Sequence, residues 1–172
     1  MVRKINFIFL LFISSLIISC KSKADELREK GFHVLEEYNI AFKSPGILKF
    51  DKKQSKEFNK LYQEKYMVYR SYPDKKNEEQ FYEISIKKNI PKLTDEEILR
   101  NIGSAFYENQ SRRSKTEKIR INGERAIIFR YNVVTRGIQV YTKEFIYFFI
   151  IRNFTNVKKS TEKLMNSIKT LS

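Results

Sequence analysis

KIRINGERAIIFRY, residues 118–131, decides how the chain is folded. Asn122-Gly123 supplies the two positive-φ positions of a type I′ turn, so the runs on either side pair as an antiparallel hairpin. A second glycine, Gly137 after Thr135-Arg136, is expected to turn the chain again into IQVYTKEFIYFFII, residues 138–151. Its last segment, Phe145 to Ile151, is apolar at odd and even positions alike. Only a central strand covered on both faces uses such a run. An isolated strand in a membrane would leave its edges unpaired in lipid.

Working outward, YMVYRSY (66–72) and QFYEISIKKNI (80–90) flank the polar connection PDKKNEE. The second run alternates Tyr82, Ile84 and Ile86 against Glu83, Ser85 and Lys87, which predicts a hairpin with one wet face, closed by Pro91. Upstream, EYNIAFK (37–43) and ILKF (47–50) read as short strands separated by a Ser44-Pro45-Gly46 turn. DKKQSKEFNKLYQ (51–63) stays open between loop and short helix, because Phe58, Leu61 and Tyr62 fall at helical spacing in a polar segment. Thr94-Asp95-Glu96-Glu97 has the form of a capping box, with Ile98, Ile102, Ala105 and Phe106 on one face, predicting a helix to about Asn109. At the C-terminus Val157, Thr161, Leu164, Ile168 and Leu171 recur at intervals of four and three, an amphipathic helix with its lysines outward. The sum is an α+β domain: a mostly antiparallel β-sheet with a middle helix and a C-terminal helix packed on it.

The N-terminus has a different logic. Arg3 and Lys4 precede an apolar segment from Phe7 to Ile18, the order of an export signal. A bilayer-spanning helix needs about 20 apolar residues, and this run meets charge before that. Ile17-Ile18-Ser19-Cys20 resembles the lipobox of bacterial lipoproteins, in which the cysteine sulfur receives a diacylglyceryl group before cleavage; the thiolate is the natural nucleophile for that step. The expected organisation is a signal peptide over 1–19, a lipidated Cys20 with a flexible polar tether over 20–31, and one domain over 32–172. Acyl chains contribute about 0.8 kcal/mol per buried CH₂, so two or three of them hold a protein at the bilayer without help from its surface. Lys21 after the cysteine resembles outer-membrane sorting in a host with two membranes.

Composition bounds the rest. The chain has one cysteine, so packing must supply the stability; with 10 Tyr and 14 Phe the material is available. Lys and Arg number 34 against 20 Asp and Glu, a formal net charge of +14, which the loss of Arg3 and Lys4 with the leader lowers by two. Anionic lipid headgroups, envelope polyanions and acidic proteins all match such charge. So does plain AT-rich coding, given the abundance of Lys, Ile, Asn, Tyr and Phe. Export argues against a nucleic-acid partner.

The order of elements resembles the PsbP-like fold, shared by an extrinsic photosystem II subunit, a Ran-binding nuclear import factor and many bacterial lipoproteins. The resemblance is carried by FKSPGILKF (42–50), EISIKKNIPKLTDEEI (83–98), RINGERAIIFRY (120–131), YTKEFIYFFIIRNF (141–154) and SIKTL (167–171). It implies the fold and a noncatalytic binding or assembly role, and it transfers no site residue.

No catalytic group, cofactor or metal is expected. His33 is the sole histidine, and with Cys20 acylated no His or Cys pair is left for a transition metal. Glycines at 31, 46, 103, 123 and 137 assemble neither a phosphate loop nor a nucleophile elbow. Two binding surfaces are suggested instead. Arg112, Arg113, Lys115 and Lys118 form a basic stretch able to fork onto phosphate or carboxylate. Tyr62, Tyr66, Tyr69 and Tyr72 offer rings that combine apolar area with a hydroxyl. The expectation is a lipid-anchored envelope protein, not an enzyme, that binds or scaffolds another envelope protein, the alternative being electrostatic capture of envelope polyanions or anionic lipid.

Overall fold

Asn122 and Gly123 adopt φ of 49° and 83°, and the strands they join pair directly, Ile121 opposite Glu124. The type I′ hairpin is therefore present as expected. The structure, a computed structural model, describes residues 21–74, 77, 79–89, 116–130 and 133–171. The leader with Cys20, the helix expected over 94–109, and Arg112, Arg113 and Lys115 lie outside the described residues.

In chain order the described elements are α1 (Lys23–Glu29), β1 (His33–Leu35), a 3-10 turn (Glu36–Tyr38), β2 (Ile40–Phe42), β3 (Leu48–Phe50), α2 (Lys52–Tyr62), β4 (Met67–Ser71) and β5 (Phe81–Lys88). After residues 90–115 come β6 (Thr116–Ile121), β7 (Glu124–Arg130), β8 (Arg136–Tyr141), β9 (Phe145–Arg152), α3 (Val157–Ser167) and β10 (Lys169–Thr170). Seven strands form one antiparallel sheet in the order β3-β4-β5-β9-β8-β7-β6, and β1-β2-β10 form a second, smaller one. The α+β class and the antiparallel sheet agree with the sequence.

β9 is the keystone. It pairs with β5 on one side and β8 on the other, which explains its lack of a polar face. Register puts Tyr147, Phe149 and Ile151 beside Ile86, Ile84 and Tyr82 of β5, and beside Val140 and Ile138 of β8. These residues share one cluster with Val157, Leu164 and Ile168 from the α3 region and with Ile40 and Phe42 of the small sheet. Each such side chain contributes about 1.5–3 kcal/mol on full burial. Phe42 meets Phe149 edge-on at 5.3 Å, and the Tyr147 hydroxyl donates to the Tyr38 carbonyl at 2.6 Å, so the small sheet is locked over β9. The other face of β9 carries Ile146, clustered with Ile127, Phe129, Tyr141 and Phe148.

Four expectations need correction. Gly137 does not turn the chain; it lies within β8, opposite Phe129 and Ile150. On the same sheet face Phe129 of β7 and Phe148 of β9 stack across β8, with centroids 5.4 Å apart. The wet face of β5 is dry: Glu83 is 3 % and Ser85 1 % exposed. Glu83 is bound by Arg70 of β4, which also reaches Asp51 and Gln54 of α2, the segment that stays open between loop and helix in the sequence; its N-cap Asp51 accepts from the Gln54 amide. Ser55 ties the helix to β4, its Oγ donating to the Asp51 carbonyl at 2.8 Å and accepting from the Val68 amide at 3.0 Å.

The third correction concerns the tether. Residues 23–29 are helical, capped by Ser22, with Ala24 and Leu27 buried. The residues read as aperiodic thus hide a three-residue apolar spacing too short to stand out among charges. Fourth, the C-terminal helix ends at Ser167, and Lys169–Thr170 pairs with β2 instead of continuing the helix to Leu171. The Asn122 side-chain amide donates to the Ile168 carbonyl at that point, pinning the hairpin turn to the end of α3.

Candidate functional site

A groove of about 250 Å³ opens where the ends of three strands of the large sheet meet the 3-10 turn. Met67 of β4, Ile86 of β5 and Phe145 of β9 form its floor, and Tyr38 forms a wall. Left-handed residues bring the flanking loops there. Asn39 at φ 54° ends the 3-10 turn just after Tyr38, and Gln63 at φ 53° ends α2 so that Glu64 and Lys65 reach the rim.

The wall belongs to a run of aromatic rings. Tyr38 meets Tyr69 at 6.2 Å and Phe145 at 5.7 Å, both edge-on, and Tyr69 continues to Phe50 at 5.4 Å, whose ring is 46 % exposed. The Tyr69 hydroxyl donates to Glu37 at 3.3 Å. Burial, with help from neighbouring Tyr69 and Glu37, pushes the Tyr38 phenol above its ordinary value. The Tyr147 phenol beneath is likewise pushed up by burial, to about 12. Both hydroxyls therefore stay protonated and serve as hydrogen-bonding groups.

Charge lies on the rim. Lys87 pairs with Glu64 at 2.6 Å, whereas no ion pair is formed by Lys65 or Lys88 with the described residues. An apolar floor with a net positive rim is suited to recognition. Among the described residues no group of three or more His, Cys, Asp or Glu side chains converges as metal ligands would.

The four tyrosines singled out from the sequence do not make one surface. Successive residues of a strand face opposite ways, and β4 separates them accordingly. Tyr62 and Tyr66 join Phe58 in a trio with centroids 5.5 to 5.8 Å apart, Tyr69 sits on the other face with Tyr38, and Tyr72 packs on Phe81 at 6.2 Å. Of the four, Tyr69 alone belongs to the aromatic run at the groove. Tyr38 and Phe145 were missed, since no spacing links residues 38, 67, 86 and 145. His33, for its part, sits against Phe42 at 5.6 Å with its Nε2 3.0 Å from the Ser44 carbonyl oxygen.

Of the basic stretch, Lys118 is described and exposed on the edge strand β6. It borders a second groove, of about 390 Å³, with Arg120, Arg125, Ile127 and Tyr141. Arg120 spends one N–H on the Gly123 carbonyl at 2.8 Å.

One ionic cluster is internal. Arg70 donates from Nε to Glu83 at 2.7 Å, from Nη1 to Asp51 at 3.0 Å and from Nη2 to Gln54 at 2.9 Å. Burial pushes the Glu83 carboxyl up, against the downward pull of Arg70 and Ser85. The cluster's members come from α2 and its N-cap, from β4 and from β5, so it joins helix to sheet.

No family model matches the chain, and no curated protein matches it in sequence. Among solved structures the fold resembles cyanobacterial PsbP (CyanoP) from Synechocystis sp. PCC 6803, with a TM-score of 0.57 at 11 % identity, covering 81 % of this chain and 91 % of that one. The fold is PsbP-like.

Proposed function

We propose that this protein is a lipid-anchored module of the bacterial cell envelope that binds another envelope protein and carries out no chemistry itself. The observation that carries the proposal is the groove of Tyr38, Met67, Ile86 and Phe145, an apolar recess rimmed by lysines in a fold like that of CyanoP. The leader, with Ile17, Ile18 and Ser19 before Cys20, supports the envelope address, on the outer membrane where the host has two membranes.

Anchor and fold then act together. Lys21 and Ser22 alone separate Cys20 from α1. At no more than about 3.6 Å per residue, an acylated Cys20 holds the domain against the bilayer instead of on a long lead. A partner is met at the membrane surface, which raises its effective concentration.

Metabolic labelling with an alkyne fatty acid is expected to mark the wild-type chain, and Cys20→Ser to abolish the label and move the protein out of the membrane fraction. Crosslinking in cells followed by mass spectrometry is expected to recover an envelope protein with the wild type. A soluble, unlabelled wild-type protein, or crosslinks to none but cytoplasmic proteins, would sink the proposal.

The groove beside Lys118 favours a second reading, electrostatic capture of envelope polyanions or anionic lipid headgroups. On that reading Lys118→Glu with Arg120→Glu lowers binding to anionic vesicles and flattens its salt dependence. Unchanged binding with a steep salt dependence excludes this groove as the contact.

A further inference from the structure

We infer that the Tyr38–Phe145 groove receives an apolar side chain from an acidic segment of the partner protein; this rests on the envelope-module proposal and specifies its site. The floor is assembled from strands of a rigid sheet, with Ile86 1 % exposed and fixed between its neighbours. Preformed recesses of this kind accept an anchor side chain without prior ordering of the receptor, and such anchors dominate the energetics of protein interfaces. At about 250 Å³ the recess is small, suited to one large aliphatic or aromatic side chain with its adjoining backbone rather than to a cofactor.

The rim chooses the flanking residues. Glu64, the carboxylate of the lining, is already matched by Lys87 at 2.6 Å, which leaves Lys65 and Lys88 as exposed ammonium groups without a carboxylate among the described residues. Carboxylates before and after the anchor complement them, and basic residues there meet like charge. The phenols of Tyr38 and Tyr69 add hydrogen-bonding hydroxyls beside an aromatic surface that Phe50 extends outward. A lipid headgroup would use the lysines but not the apolar floor.

Three probes separate the possibilities with the full chain held in phosphatidylcholine nanodiscs: a fluorescent peptide with one leucine between aspartates, its lysine-flanked counterpart, and phosphatidylglycerol vesicles. The methyl NMR signals of Met67 and Ile86 report from the floor itself. The aspartate peptide is expected to bind, to shift both methyls, and to lose about tenfold in affinity when Lys65 and Lys88 are both changed to Glu. Equal binding of the lysine peptide, peptide-induced shifts that spare Met67 and Ile86, or vesicles that displace the aspartate peptide from the floor would each overturn the inference. Unchanged core methyl signals of the double variant show that it remains folded. Crosslinks from an envelope partner to another surface would remove the groove and leave the envelope proposal standing, whereas the absence of any envelope partner would remove the proposal.

Discussion

Arg70→Met is expected to lower stability by about 3–5 kcal/mol near neutral pH, because it leaves the Glu83 carboxylate buried without its counter-ion. The Glu83 side chain is 2 % exposed and its other hydrogen-bond partner among the described residues is Ser85 at 3.4 Å, so Arg70 is its main compensating group. The pH dependence identifies the cause. Burial already raises the Glu83 carboxyl above 4.5 in the folded protein, and Arg70 opposes that rise. A carboxyl raised on folding binds its proton more tightly in the folded state, so its contribution is present in full below the unfolded value and is lost as pH climbs through the folded one. Removing Arg70 extends that interval upward. The gap between wild type and variant is therefore widest near neutrality, narrows as the pH falls through the folded-state values of the two proteins, both of which lie above 4.5, and has closed to its low-pH remainder once Glu83 is neutral in both. About 1 kcal/mol remains at low pH from the lost bonds to Asp51 and Gln54. Urea unfolding at both pH values measures the gap; a constant gap would mean that Arg70 acts through packing alone.

Gly46→Ala is expected to cost about 3 kcal/mol. A Cβ at this position falls 2.1 Å from the Tyr72 carbonyl oxygen, which is backbone and cannot rotate away, and φ is 82°. The left-handed conformation accounts for about 1–2 kcal/mol and the forced displacement for about as much again. The site matters because Ser44-Pro45-Gly46 carries the chain from β2 in the small sheet to β3 at the edge of the large one, where Leu48 pairs with Ser71. Gly123→Ala is the control. It has the same sign of φ, at 83°, but open space around the new methyl, and is expected to lose about 1 kcal/mol. Equal losses for the two variants, measured by urea unfolding, would show that the contact with Tyr72 carries no strain.

The elements legible in the sequence are those whose signal is local. Asn122-Gly123 announced its turn because few residue pairs tolerate two positive φ angles in succession. Phe145 to Ile151 announced a central strand because a wet face would have required polar residues. Gly137 and Glu83 were misread for a shared reason: each resembles a turn or a solvent signal within its own strand, and each is explained by a neighbour distant in sequence. Gly137 is paired with Phe129 and Ile150 of the neighbouring strands, and Arg70 neutralises Glu83. The same holds for the candidate site, of which the sequence points to Tyr69 at its aromatic edge, and to it as one of four rings that the fold divides between separate surfaces.

Periodicity and turn chemistry in the sequence were thus enough to specify the antiparallel α+β plan and the covered central strand, since both follow from which residues must be dry and which backbone angles a residue permits. Tertiary structure alone decided that α1 is docked, that Glu83 of β5 is bound by Arg70 of β4, and that Tyr38, Met67, Ile86 and Phe145 share a recess. These depend on strand order and register, which bring together side chains whose separation along the chain carries no periodic trace.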